Sequence, residues 1–166
     1  RREEDEPAAP RAAVSGRASI LAPYEKGNAE SSLDLAKKAG DKELSDKLSR
    51  FLAAYDAAND AMLSNNGVAA ISNFQRALKL DEELSSGWGK YGGEIRGRLT
   101  RLYVLVGQQH LKNGDAAKAR TSFEAALKHD PKNAQAKQEL TKLDGAAAPA
   151  PAKKSSGNSI DDAFGE

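Results

Sequence analysis

Residues 65–83, NNGVAAISNFQRALKLDEE, recur in altered form at 113–132 as NGDAAKARTSFEAALKHDPK. Placing Phe74 on Phe123 also pairs Ala70 with Ala119, Ala77 with Ala126, Leu78 with Leu127 and Asp81 with Asp130, all at an offset of 49 residues. Self-similarity at about 20–50 residues marks stacked supersecondary units, each unable to bury its apolar face alone. A chain built this way folds by laying similar units side by side. Its fold class then follows from what one unit is.

The unit is helical. Apolar residues return at spacings of three and four, as one face of a helix requires. Residues 28–39 read as a short helix ending at Gly40, and Asp41 as the N-cap of the next, its carboxylate accepting a first-turn N–H. Leu44, Leu48, Phe51, Tyr55 and Met62 share the face of that helix, which stops at Asn65-Asn66-Gly67. A third helix covers 68–80. A fourth carries Trp88, Tyr91, Ile95, Leu99, Leu102 and Val106 and ends at Asn113-Gly114. Asp115 caps a fifth, and Asp130-Pro131 opens a last one, since proline is tolerated in a first turn. No stretch sustains period-two alternation, so the expected class is all-α, without sheet.

The chain is polar for its 166 residues: 39% hydrophobic, 30% charged, with a mean hydropathy of −0.65. Much of that polarity lies at the ends. Residues 1–17 join dense charge to Ala and Pro, and 145–166 pass from Ala/Pro through Lys/Ser/Gly to an acidic end. Neither can bury enough surface to offset about 1–2 kcal/mol of backbone entropy per residue. The expected organisation is a disordered segment at 1–17, a helical domain at 18–144 and a disordered tail at 145–166. The first residue is not Met, and the sole Met is Met62, so the chain reads as a piece of a longer or processed protein.

The second copy resembles the tetratricopeptide repeat family. Tyr103, Val106-Gly107 and His110 fill the first-helix pattern of that family, His110 standing where Tyr is usual. Gly114-Asp115 makes the turn, and Ala119, Phe123, Ala126 and Pro131 complete the match over 100–133. The copy at 51–83 is weaker: Ala54, Ala58 and Ala61 take the aromatic, Gly and Tyr places, and Glu82 replaces the proline. The resemblance implies antiparallel helix hairpins, with residues 132–143 as a C-terminal capping helix. The family repeat is 34 residues. The offset of 49 places about fifteen extra residues near 84–98, which predicts first helices extended past their partners as a paired arm carrying Trp88, Tyr91 and Ile95.

The chemistry is sparse. With no cysteine there is no disulfide, thiolate zinc site or thiol nucleophile. Gly87, Gly89 and Gly92 spell GxGxxG, but no strand precedes them, so a glycine-rich helix start is the reading rather than a dinucleotide turn. His110 reads as a packed interior residue and His129 as a cation at a helix C-terminus. The serines lack a His/Asp context, no metal-ligand spacing occurs, and neither enzyme activity nor a cofactor is expected. Net charge is +1, and the local run Arg96, Arg98, Arg101 reads as a solvated face, so no nucleic-acid partner is expected. No apolar run reaches the roughly 20 residues of a membrane span. Without an export feature the cytoplasm is favoured. A membrane-associated assembly would be reached through the parent protein.

What the resemblance implies is a non-catalytic adaptor within a larger, bacterial-type multidomain assembly. It would bind a protein or peptide in a groove lined by the first helix of each pair. By family position the groove residues are Tyr55, Asn59 and Met62, then Arg101, Val104, Gln108 and Lys112. The competing reading is a spacer or oligomerisation domain that packs through the long 88–112 helix. A second lead is the end of the tail, SIDDAFGE, where Ile160 and Phe164 are i,i+4 neighbours flanking Asp161 and Asp162, the form of a short docking motif able to reach this domain's own groove.

Overall fold

Four turns set the architecture. At each, the last helical turn closes with paired backbone bonds: Gly27 and Asn28 to Tyr24 and Pro23, Gly40 and Asp41 to Lys37 and Ala36, Asn65 and Asn66 to Met62 and Ala61, Gly114 and Asp115 to Leu111 and His110. This is the Schellman closure, which needs a left-handed residue at its corner. Gly27, Gly40 and Gly114 supply it with φ of 88°, 70° and 78°, and Asn65 does so at 55°. The next residue then starts the following helix. Asn28, Asp41, Asn66 and Asp115 each accept the backbone N–H three residues on at 3.0 Å. A helix is stopped and its successor begun with three residues between, which turns the chain back on itself.

The computed structural model describes residues 10–85, Gly87 and 89–145, with side chains from residue 16 onward. Trp88 and the tail residues Ile160, Asp161, Asp162 and Phe164 lie outside the described residues. Among those described there are seven helices and no strand: α1 (Pro10–Glu25), α2 (Ala29–Lys38), α3 (Lys42–Leu63), α4 (Gly67–Ser85), α5 (Lys90–Lys112), α6 (Ala116–His129) and α7 (Ala134–Gly145). Each packs on the next, making hairpins α1/α2, α3/α4 and α5/α6, with α7 against α6. α1 also touches α4.

Small residues let the hairpin partners close up. Ala54, Ala58, Ala70 and Ala77 are buried between α3 and α4, and Ala119 and Ala126 between α5 and α6. Gly107 is the tightest of these positions, for a Cβ there would lie 2.6–2.9 Å from the Phe123 ring.

Three differences from the sequence expectation share one cause. α1 was not anticipated and begins inside the segment assigned to the disordered end, with Pro10 in the first helical position, where its missing N–H costs nothing. α4 runs to Ser85, not Leu80. The extra residues at 84–98 therefore lengthen α4 as well as α5, and they do not stand out as an arm. Ile95 is fully buried, and Tyr91 lies against Tyr24, Phe51 and Tyr55 with ring centroids 4.9–5.3 Å apart. Tyr91 Oη donates to the Gly27 carbonyl at 2.9 Å and accepts the Ala29 N–H at 3.1 Å. The α1/α2 hairpin is what covers the extension. From α1, Tyr24 reaches across to α4 and donates to Asp81 Oδ1 at 2.6 Å. Both groups are buried, and burial together with this hydrogen bond pushes the Tyr24 hydroxyl far above its ordinary pKa.

Candidate functional site

The inner face of the repeat pair is where first helices α3 and α5 meet. Tyr55 and Asn59 are one turn apart on α3, and Glu94 and Arg98 one turn apart on α5. Tyr55 Oη donates to Glu94 Oε1 at 2.8 Å. Arg98 donates through Nη2 to the same Glu94 oxygen at 2.6 Å and through Nη1 to Asn59 Oδ1 at 2.6 Å. The Arg98 Nη1 also lies 3.9 Å from Met62 Sδ, and the guanidinium sits 5.9 and 5.5 Å from the Tyr55 and Phe74 ring centroids. A cation against ring faces is held by their negative quadrupole.

The electrostatics follow from this clustering. Burial pushes the Tyr55 hydroxyl up to about 12, and its bond to Glu94 adds to the shift. Burial would raise Glu94, but hydrogen bonds from Tyr55 and Arg98 and the guanidinium charge hold it below the ordinary carboxylate range. The result is a fixed, charge-paired seam between the two hairpins. Its contacting residues are 39 apart in sequence, whereas equivalent repeat positions are 49 apart. Ten residues of helix correspond to about 15 Å.

The structure thus brings Tyr55, Asn59 and Met62 together around Arg98. Asn59 Oδ1, placed in the groove by family position, is occupied by that guanidinium. Beyond Arg98 the same face of α5 continues through Arg101, Leu105, Gln108 and Lys112, at spacings of three and four. Arg101 and Lys112 are exposed and Gln108 is half-buried. Leu105 is 60% exposed, a large apolar side chain on an otherwise polar stripe. Val104, expected in the groove, is only 5% exposed and belongs to the core. Sequence reasoning missed Leu105 because it is one residue out of step with the repeat template.

The basic run is also corrected. Arg96 is not on a solvated face: it donates to the Gly87 carbonyl and lies 3.4 Å from Glu82. Arg98 is the seam residue, and only Arg101 of the three is exposed. A signal for Arg98 was present, since Glu94 and Arg98 form an i,i+4 pair. The glycine run is a turn and helix start. Gly87 has a φ of 73°, and a Cβ on Gly92 would collide with the Gly87 carbonyl oxygen. His110 is buried, as expected. His129 differs: its ring stacks on Tyr103 at 5.8 Å, and burial lowers its pKa, so it favours the neutral form rather than a capping cation.

Of the packing surface invoked for a spacer, Tyr91 lies against α1, α2 and α3 and Ile95 is fully buried, while Trp88 lies outside the described residues. Among the described residues no group of three or more His, Asp or Glu could hold a metal ion, and no helix is long and apolar enough to cross a membrane.

Residues 100–133 match the tetratricopeptide repeat family, which comprises α5 from Thr100 to its end, the Gly114 turn, α6 and the Asp130-Pro131 junction. That repeat is a non-catalytic scaffold unit. No curated protein matches the chain.

Proposed function

We propose that this helical domain is an adaptor that binds a protein or peptide partner along α5, in the channel that α3 and α5 border. The observation that carries this reading is the stripe Arg101, Leu105, Gln108, Lys112. It lies on the first helix of the matched repeat and presents one apolar and two cationic side chains on a preformed helix. A rigid surface of this kind leaves the ordering cost mainly to the partner. Asn59 and Met62 extend the channel where Arg98 borders it. We take α7 as the cap of the last hairpin: Ala136 is buried, Leu140 and Leu143 are partly buried against the core, and Lys137, Gln138 and Thr141 are exposed.

The test is affinity capture followed by identification of the retained partner. Arg101→Glu/Gln108→Ala/Lys112→Glu abolishes retention while its circular dichroism melt stays at the wild-type temperature. Lys37→Glu/Lys38→Glu on α2 does not. Equal loss in both variants, or none in the first, overturns the assignment to α5.

A further inference from the structure

We infer that the occupant of the α5 stripe in the free protein is the chain's own acidic end, residues 159–166. This rests on the reading of α5 as the interaction face and names its resident ligand.

Three observations converge. The first is charge. From Ile95 to Gly114 there is no Asp or Glu, while Arg101 and Lys112 are exposed on the stripe. SIDDAFGE holds three acidic residues and no basic one. The second is shape. Leu105 stands 60% exposed between the two cations, at the middle of a face about 16 Å long from Arg101 to Lys112. As a helical turn, the tail would place Ile160 and Phe164 on one side, with Asp161 flanking them and Asp162 turned to the opposite face. Two apolar groups can then cover Leu105 while Asp161 meets one of the flanking cations, and the remaining acidic charge adds attraction to the basic face. The third is the exit of the chain. Near the end of α7, Asp144 accepts a hydrogen bond from Arg120 Nη2 at 2.6 Å. Arg120 is just over one turn into α6, and the start of α6 follows directly on Lys112 through the Gly114 turn. The chain therefore leaves the domain near the Lys112 end of the stripe. The span from Gly145 to Ser159 reaches at most about 45–50 Å when extended. That is several times the length of the face. A tether of this kind holds its end at an effective concentration of about millimolar when the geometry permits engagement. A weak contact then suffices for occupancy, and an outside partner must displace it.

The chain has no cysteine, so Ser159→Cys places one nitroxide label beside the motif in the 166-residue chain. Paramagnetic broadening of backbone amides is expected to concentrate on α5 from Arg101 to Lys112. It should exceed several-fold that on α2, and Ile160→Ala/Phe164→Ala or Arg101→Glu should remove it. Broadening spread evenly, centred on another helix, or absent overturns the inference. So does broadening that appears when labelled and isotope-enriched copies are mixed, since that assigns the site to a second molecule. If the tail proves undocked while the α5 variants still lose partner capture, this inference fails and the adaptor reading stands.

Discussion

Replacing Tyr24 with Phe isolates one hydrogen bond without opening a cavity. The ring stays where it packs, 5.1 Å from Phe51 and 5.0 Å from Tyr91, so the apolar burial is unchanged. What is lost is the 2.6 Å bond to Asp81 Oδ1. Asp81 is fully buried, and its Oδ2 has no hydrogen-bond partner among the described residues. After the substitution its remaining side-chain hydrogen bond among the described residues is from Ser85 Oγ at 3.2 Å. Removing one partner of a buried carboxyl costs about 1.5–3 kcal/mol. For a domain of this size that is a fall of roughly 6–12 °C in Tm. Urea denaturation followed by far-ultraviolet circular dichroism checks it, with the midpoint lowered and the slope unchanged. The cycle with Asp81→Ala should show strong coupling, because the Tyr24 hydroxyl gains little once its acceptor is gone. A loss under about 0.5 kcal/mol for Tyr24→Phe, or additive effects in the double variant, would refute the claim that α1 is fastened to α4 through this pair.

Three further outcomes follow from the geometry. Gly107→Ala gains helix propensity but drives a methyl into the Phe123 ring, so it should destabilise by about 1–3 kcal/mol in thermal or urea unfolding. Asn65→Gly relieves the positive φ of 55° at a helix stop and should stabilise by up to about 1 kcal/mol by the same measurement. Alkali should unfold the domain in a defined window. Tyrosine in the unfolded chain ionises near 10, while Tyr55 in the folded state holds its proton to about 12. Across that interval the unfolded state binds fewer protons, so stability falls as pH rises. Tyr55→Phe should flatten the fall between pH 10 and 12 in urea midpoints.

Much of the fold was legible because it is written locally. Gly40, Asn65 and Gly114 lie next to Asp41, Asn66 and Asp115, and each pair specifies a stop and a start within one helical turn. The Phe123 hairpin was legible from its repeat residues. The missed elements depend on distant partners. α1 has few apolar residues, and Pro23 interrupts its pattern; its anchor Tyr24 meets Asp81, 57 residues away. Nothing in the run Asp81-Glu82-Glu83 signals that the first of these is buried. The proposed face was half legible. Repeat position named Asn59, Met62, Arg101, Gln108 and Lys112 as its members, and Arg101, Gln108 and Lys112 share one face of α5. It could not show that Arg98 fills the space beside Asn59, or that Leu105 and not Val104 faces outward.

The seam between α3 and α5 also bears on how such an array can grow. In a self-propagating stack, the face a unit offers forward matches the face it offers backward. Here α3 presents Tyr55 and Asn59, and α5 answers with Glu94 and Arg98. The counterparts of Tyr55 and Asn59 one repeat later are Val104 and Gln108. Val104 is buried and has no hydroxyl for a glutamate. A duplicated hairpin placed after α6 would find no hydroxyl for its glutamate, while Gln108 would still offer its arginine an amide oxygen. A stepwise duplication of α5/α6 would therefore repeat only part of this seam's chemistry.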